Sequence, residues 1–254
     1  VQPPILSSLP VASVAVAAQP NIRQRADGSR SYHRRVLAPH RPFNGGHVGW
    51  RPLIAAGFPA TRIDEVLTLY DEPQRVYHDR RHLRRMLCAA GRMSLRLSAA
   101  QALAVLFHDA VYVPGAIHGA NEALSAQLLR VHAQGMAPSI VDEAAAIVID
   151  TAQHLPSLPS AALVIDLDLL RLAGTSEQFD RDSRDVFAEM RPLFPTDDEA
   201  EAWRQFVARR RSFFIRLLAR PRIYTTTPIF DRCEAAARAN LRAVISGSDS
   251  RGTA

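Results

Sequence analysis

The sequence predicts an all-α fold, and three observations carry the prediction. From Thr61 onward, apolar residues recur at helical spacing almost without interruption. No alternating run of β-branched residues is long enough to make a useful strand. Nearly every connection between helical segments is short enough for successive helices to pack on one another. With 254 residues, 47% of them hydrophobic, the chain has ample material for a core.

The elements follow in order. A short helix is expected over residues 63–70, ending at Asp71-Glu72-Pro73. A second, over 74–90, carries the first histidines and stops near Gly91. Ser98 is placed to cap a helix that ends at His108. Residues 111–119, with Pro114, Gly115 and Gly119, read as a loop. A helix over 121–134 stops at Gly135, and Pro138 suits the first turn of another that runs to about residue 152. Pro156 and Pro159 mark a loop before a helix over 161–173, which ends at Gly174. Ser176 is read as the cap of a helix to Met190. The run Thr196-Asp197-Asp198-Glu199 is a helix N-terminal signature, opening a long helix to about Leu218. A last helix spans about 228–244, and the Ser/Gly-rich residues 246–254 read as a frayed tail.

Residues 1–50 read differently from the rest. They hold six prolines and Gly45-Gly46 and keep no helical or strand period, so a disordered or non-globular extension is expected, followed by one helical domain over 51–245. The net charge of +6 is concentrated there. Six arginines face the single Asp27, a net +5, which leaves 25 arginines and 24 acids, or +1, for the remainder. Basicity confined to a tail reads as a solvated arm, so no specific nucleic-acid partner is expected. Every basic residue is arginine. Cys88 and Cys233 are far apart and form no C-x-x-C, so a disulfide is not expected and a reducing cytoplasm fits. Residues 9–18 resemble a weak signal-peptide core without a preceding positive region and read as non-globular. No apolar run approaches the roughly 20 residues that span a bilayer, so no membrane partner is expected.

The chemistry sits in a spaced set of histidines and aspartates. Tyr77-His78-Asp79-Arg80-Arg81-His82 places two histidines four apart, on one face if the segment is helical. Phe107-His108-Asp109 closes the apolar stretch 102–107. Asp166 and Asp168 follow the apolar run 161–165. Carboxylates in such surroundings are costly unless paired or bound to a cation, and imidazole with carboxylate suits a divalent transition ion. A metal-dependent hydrolase is the first reading.

As a set, Tyr-His-x-x-x-His, His-Asp at a helix end and Asp-x-Asp-Leu resemble the HD superfamily of metal-dependent phosphohydrolases, within which cyclic-nucleotide phosphodiesterases carry a similar Tyr-His-x-x-x-His. The chain is most similar to the bacterial branch of predicted HD phosphohydrolases. Further matching text is Glu72-Pro73-Gln74-Arg75-Val76, Asn121-Glu122-Ala123-Leu124-Ser125-Ala126, Ile223-Tyr224-Thr225, and Glu234-x3-Arg238-x-Asn240-Leu241. The resemblance covers roughly residues 63–243. It implies an HD-domain-like helical bundle, with His82, His108, Asp109 and one of Asp166/Asp168 as metal ligands. Asp168 is the choice, because Asp-Leu matches the phosphodiesterase-type text. On a helix the two aspartates lie about 200° apart, so one ion cannot easily take both. The resemblance also implies one or two divalent ions (Mn, Fe, Ni, Co, Zn or Mg) and a small phosphorylated metabolite or nucleotide as substrate. Metal-activated hydroxide would cleave the ester, with His78 donating a proton to the leaving oxygen and Asp109 shared by metal binding and catalysis.

Several other residues keep more than one reading. Arg75 is the phosphate candidate among the arginines near the first histidines, whereas Arg80, Arg81, Arg84 and Arg85 read as a solvated helix face. Glu122 either orients a ligand or a metal-bound water, or is a first-turn acid favoured by the helix dipole. His154 is a ligand of a second ion, a substrate contact, or a plain loop histidine. Asp166 is close support for the metal ligands, a helix cap or a buried salt-bridge partner. Arg184 is a candidate pocket residue, although Val186 departs from the branch's usual acid. Trp203, Phe206, Phe213 and Phe214 read as packing residues. The competing function is a catalytically silent HD-like ligand-binding or regulatory module. The sequence is silent on oligomeric state.

Overall fold

A computed structural model describes residues 49–247 of the chain. Most of the expected extension, 1–50, and of the expected tail, 246–254, lies outside the described residues. Trp50, at the end of that extension, is buried in the main core. Among the described residues there are ten α-helices and no strand. The fold class is all-α.

The helices are α1 (Arg51–Ala55), α2 (Ala60–Thr68), α3 (Arg80–Arg92), α4 (Ala99–Phe107), α5 (Ala120–His132), α6 (Pro138–Thr151), α7 (Ala161–Asp168), α8 (Ser176–Met190), α9 (Glu199–Leu218) and α10 (Thr227–Ser246). Short 3₁₀ turns extend α2 over Leu69–Asp71 and α7 over Leu169–Ala173. Several boundaries have local causes. Ser98 and Gln101 form a reciprocal capping box at the start of α4. Asp198 accepts from the backbone N–H groups of Ala200 and Glu201 at the start of α9. At α8 the cap is Thr175, paired with Gln178, not Ser176. The Thr-x-x-Gln box satisfies the Gln178 and Thr175 backbone N–H groups together, which a cap one residue later would not.

The expected helix over 74–90 is shorter. It starts only at Arg80, so His78 lies in irregular chain ahead of the helix and only His82 lies on it. The reason is a remote partner. The buried Glu189 of α8 accepts hydrogen bonds from the backbone N–H groups of Val76, Tyr77 and His78 at 2.7–2.8 Å. Those groups are therefore satisfied without a helix. Asp79 then caps α3 by accepting from the Arg81 N–H.

The core is organised around α4. Seven of its nine residues are buried, and it contacts α1, α2, α3, α5, α6 and α7. Complete burial of Leu103, Leu106 and Phe107 stabilises the fold by about 1.5–3 kcal/mol each. A smaller aromatic cluster of Phe187, Phe194 and Phe206 joins α8 to α9. Behind α7, Glu234 accepts from the N–H groups of Ile223 and Tyr224 and pairs with Arg238. Asn240 donates to the Leu172 and Gly174 carbonyls. The Asn240 contacts fix the turn after α7 against α10, and those of Glu234 hold the connection that leads into α10. The helices α3, α4 and α7 touch one another pairwise, and the site lies where their ends meet.

Candidate metal centre and its cleft

Each helix end delivers one or two donors. His82 comes from the first turn of α3, His108 and Asp109 from the chain leaving α4, and Asp168 from the last residue of α7. His82 and His108 are buried with their Nε2 atoms 3.0 Å apart. Asp109 Oδ2 lies 3.0 Å from His108 Nε2 and 3.7 Å from His82 Nε2. Asp168 Oδ1 lies 3.1 Å from His82 Nε2 and 3.8 Å from His108 Nε2. The tightest group is His82, His108 and Asp109, and it can hold a metal ion. Asp168 closes on the group from the His82 side.

The donor set passes a simple test of fit. Bonds of about 2.0–2.2 Å to nitrogen or oxygen place neighbouring donors of a four- or six-coordinate ion about 2.8–3.6 Å apart. The observed separations fall in or just beyond that range. His108 Nδ1 lies 3.0 Å from the Val105 carbonyl, to which it donates, and this turns Nε2 toward the group. The ring of His82 is set by packing, 5.5 Å from the Tyr77 ring centre, because its Nδ1 is buried without a hydrogen-bond partner.

With protons alone to bridge it, the cluster is strongly polarised. Burial works against every charge in it, yet His108 and His78 hold the Asp109 carboxyl well below the usual carboxylate range. Asp168 is also held down against burial, by His154 and His82. Burial opposes the His108 imidazolium, but Asp109 outweighs it and pushes the pKa up to about 9. For His82 burial wins, and the imidazole is held neutral below its ordinary value.

His154 reaches the group from the loop after α6. Its Nε2 is 3.2 Å from Asp168 Oδ2, and its backbone is left-handed at φ +48°. A non-glycine residue in that region is uncommon and occurs where surrounding structure enforces it. Here Arg220 grips the Gln153 and His154 carbonyls, and Phe213 packs on the ring.

His78 lines the same cleft. Its Nδ1 is 2.6 Å from Glu189 Oε2, and its ring stacks on Tyr112 at 4.4 Å. Tyr112 Oη also donates to Glu189, at 3.0 Å. Burial opposes charge on His78, but Asp109 and Glu189 raise its pKa above the ordinary value. Glu189, buried yet supplied with donors, is held below its own. Sequence reasoning missed Glu189. The available signal was an acid flanked by Val186, Phe187 and Met190 on the inward side of α8.

Four other expected site residues have different places. Arg75 is buried. Nε pairs with Glu72, Nη1 donates to the carbonyls of His78 and Asp109, and Nη2 donates to that of Ala110. Its donors are spent on the backbone that carries the site, so it is a positioning residue rather than a phosphate contact. Asp166 faces away from Asp168. It accepts from the Thr225 and Thr226 N–H groups and from the Thr226 hydroxyl, which secures the start of α10. Glu122 lies in the first turn of α5 with no hydrogen bond or ion pair to the histidines. Arg184 is exposed and stacks over Trp203, 5.3 Å from the ring centre, outside the metal cleft.

The cleft next to the cluster has a volume of about 270 Å³ and includes His78, His154, Asp168, Tyr112 and Phe213 in its lining. No helix among the described residues is long and apolar enough to cross a membrane. A scan against protein-family models finds no match, and neither does a search of curated proteins or of solved structures.

Proposed function

We propose that the chain is a metal-dependent phosphohydrolase of the HD type, acting on a phosphate ester of a small metabolite or nucleotide. One observation carries the reading: the His82, His108 and Asp109 donor group meets, through the neighbouring Asp168, a small cleft that a carboxylate-paired histidine also lines. The volume is at the small end for ligand pockets, which favours a small substrate. Two imidazoles with two carboxylates favour Mn, Fe, Co, Ni or Zn over calcium.

A divalent ion held by His82, His108, Asp109 and Asp168 would supply charge for a phosphoryl oxygen and acidity for a water molecule. The chain's own residues do the rest. Glu189 takes His78 Nδ1, which leaves Nε2 free to hand a proton to a group in the cleft. Water adds to phosphorus as the ester P–O bond breaks. The departing alkoxide takes the His78 proton, and the proton lost by water restores the His78–Glu189 pair. Arg75 keeps the backbone of His78 and Asp109 in register through both carbonyls. A silent binding module has use for a metal cluster but none for a proton donor held this way, so the pair favours the enzyme.

The test is a panel of phosphate mono- and diesters assayed with Mn, Co, Ni, Zn and Mg. We expect turnover of at least one ester, abolished by Asp109→Ala. Metal-loaded protein that hydrolyses nothing on the panel would favour the module.

A further inference from the structure

Beyond the metal cleft lies a larger cavity of about 410 Å³, walled by Trp203, Phe206, Phe214, Val207 and Ile245. Ser183 and Arg210 line both spaces, so this pair stands between the two. Arg210 is partly buried, whereas Arg184, Arg204 and Arg211 of the same cavity are exposed. Arg171, in the metal cleft, is neutralised by a two-pronged bond to Asp182 at 2.6 and 3.0 Å. Arg210 has no carboxylate at ion-pair distance among the described residues. Its Nη1 donates to Ser183 Oγ at 2.9 Å, and its guanidinium lies over Phe214 and Phe206, 4.8 and 5.3 Å from the ring centres. The rings orient the fork and supply no counter-charge. Desolvation pushes its pKa down to about 10. A cation in such surroundings is completed by an anion, and arginine geometry suits a phosphoryl group. The neighbouring aromatic cavity offers an apolar group a dry place to bind.

We propose that the ligand of this cleft is a phosphate ester with a flat apolar portion: Arg210 takes the phosphoryl oxygens, and the apolar portion lies past it among Trp203, Phe206 and Phe214. The proposal rests on the hydrolase reading only for placing the phosphoryl group beside the donor cluster.

The test uses the full chain loaded with Mn and two phosphonates, whose C–P bonds resist hydrolysis. Calorimetry compares methylphosphonate with 1-naphthylmethylphosphonate, and Trp203 fluorescence reports occupancy of the larger cavity. We expect the naphthyl compound to bind about tenfold tighter or better, and to quench the fluorescence. Arg210→Met should weaken both compounds about tenfold with metal content unchanged. Trp203→Ala should reduce only the naphthyl advantage. Val207→Gln, at the cavity wall, serves the same purpose if Trp203→Ala does not fold. Equal affinity for the two phosphonates, or full affinity in Arg210→Met, overturns the proposal. Selective phosphonate binding without turnover of any ester sinks the hydrolase reading and leaves this one standing. Turnover without the naphthyl preference does the reverse.

Discussion

At the scale of single residues, the cleft depends on side chains that never meet a ligand. Glu189 accepts three backbone N–H groups, the His78 ring and the Tyr112 hydroxyl. Glu189→Gln keeps the shape and removes the charge that holds a proton on His78. We expect kcat on alkyl phosphates to fall about 100-fold, with a smaller loss on aryl phosphates, whose leaving oxygen needs less help. Equal losses on both ester types would remove His78 from the proton-donor role. Arg75 makes a different prediction, because its N–H groups are committed to carbonyls. Arg75→Met should lower stability in urea by about 2–4 kcal/mol, and the protein that remains folded should keep its KM. A raised KM at unchanged stability would return Arg75 to the substrate.

At the scale of elements, what was legible in the sequence is what is written locally. The Ser98 cap, the Thr196-Asp197-Asp198-Glu199 signature and the glycine and proline stops place α4, α5, α6 and α9 close to where they are found. The failure at residues 74–79 has a non-local cause. Those N–H groups are met by a carboxylate more than a hundred residues away, and nothing in the local text announces it. The same limit hid Glu189 and Arg210, whose roles exist only once α8 and α9 pack against the cleft. Asp166 and Asp168 were legible as a pair that must diverge, because the helix turns them to opposite sides. The structure sends Asp168 to the imidazoles and Asp166 to the start of α10. Asp166→Ala should therefore cost about 1–2 kcal/mol in chemical denaturation, as for a lost helix cap, with metal stoichiometry retained. Loss of metal without loss of stability would exchange the roles of the two aspartates.

At the scale of the molecule, the site is a junction. α3, α4 and α7 reach it from different stretches of the chain, and Asn240 of α10 holds the chain just after α7 through the Leu172 and Gly174 carbonyls. A cation shared by the three ends binds the folded chain and not the unfolded one, so it should raise thermal stability. At free metal about 100 times the dissociation constant, the gain is about 2.7 kcal/mol. The central claim is that His82, His108, Asp109 and Asp168 share one coordination sphere. The most direct measurement is metal content per chain after dialysis, for the parent protein and for the four single alanine variants, beside far-ultraviolet circular dichroism. The account predicts at least one equivalent in the parent, a loss of most of it in each variant, and unchanged helix content. A parent chain that retains no metal, or variants that retain as much as the parent, would contradict it.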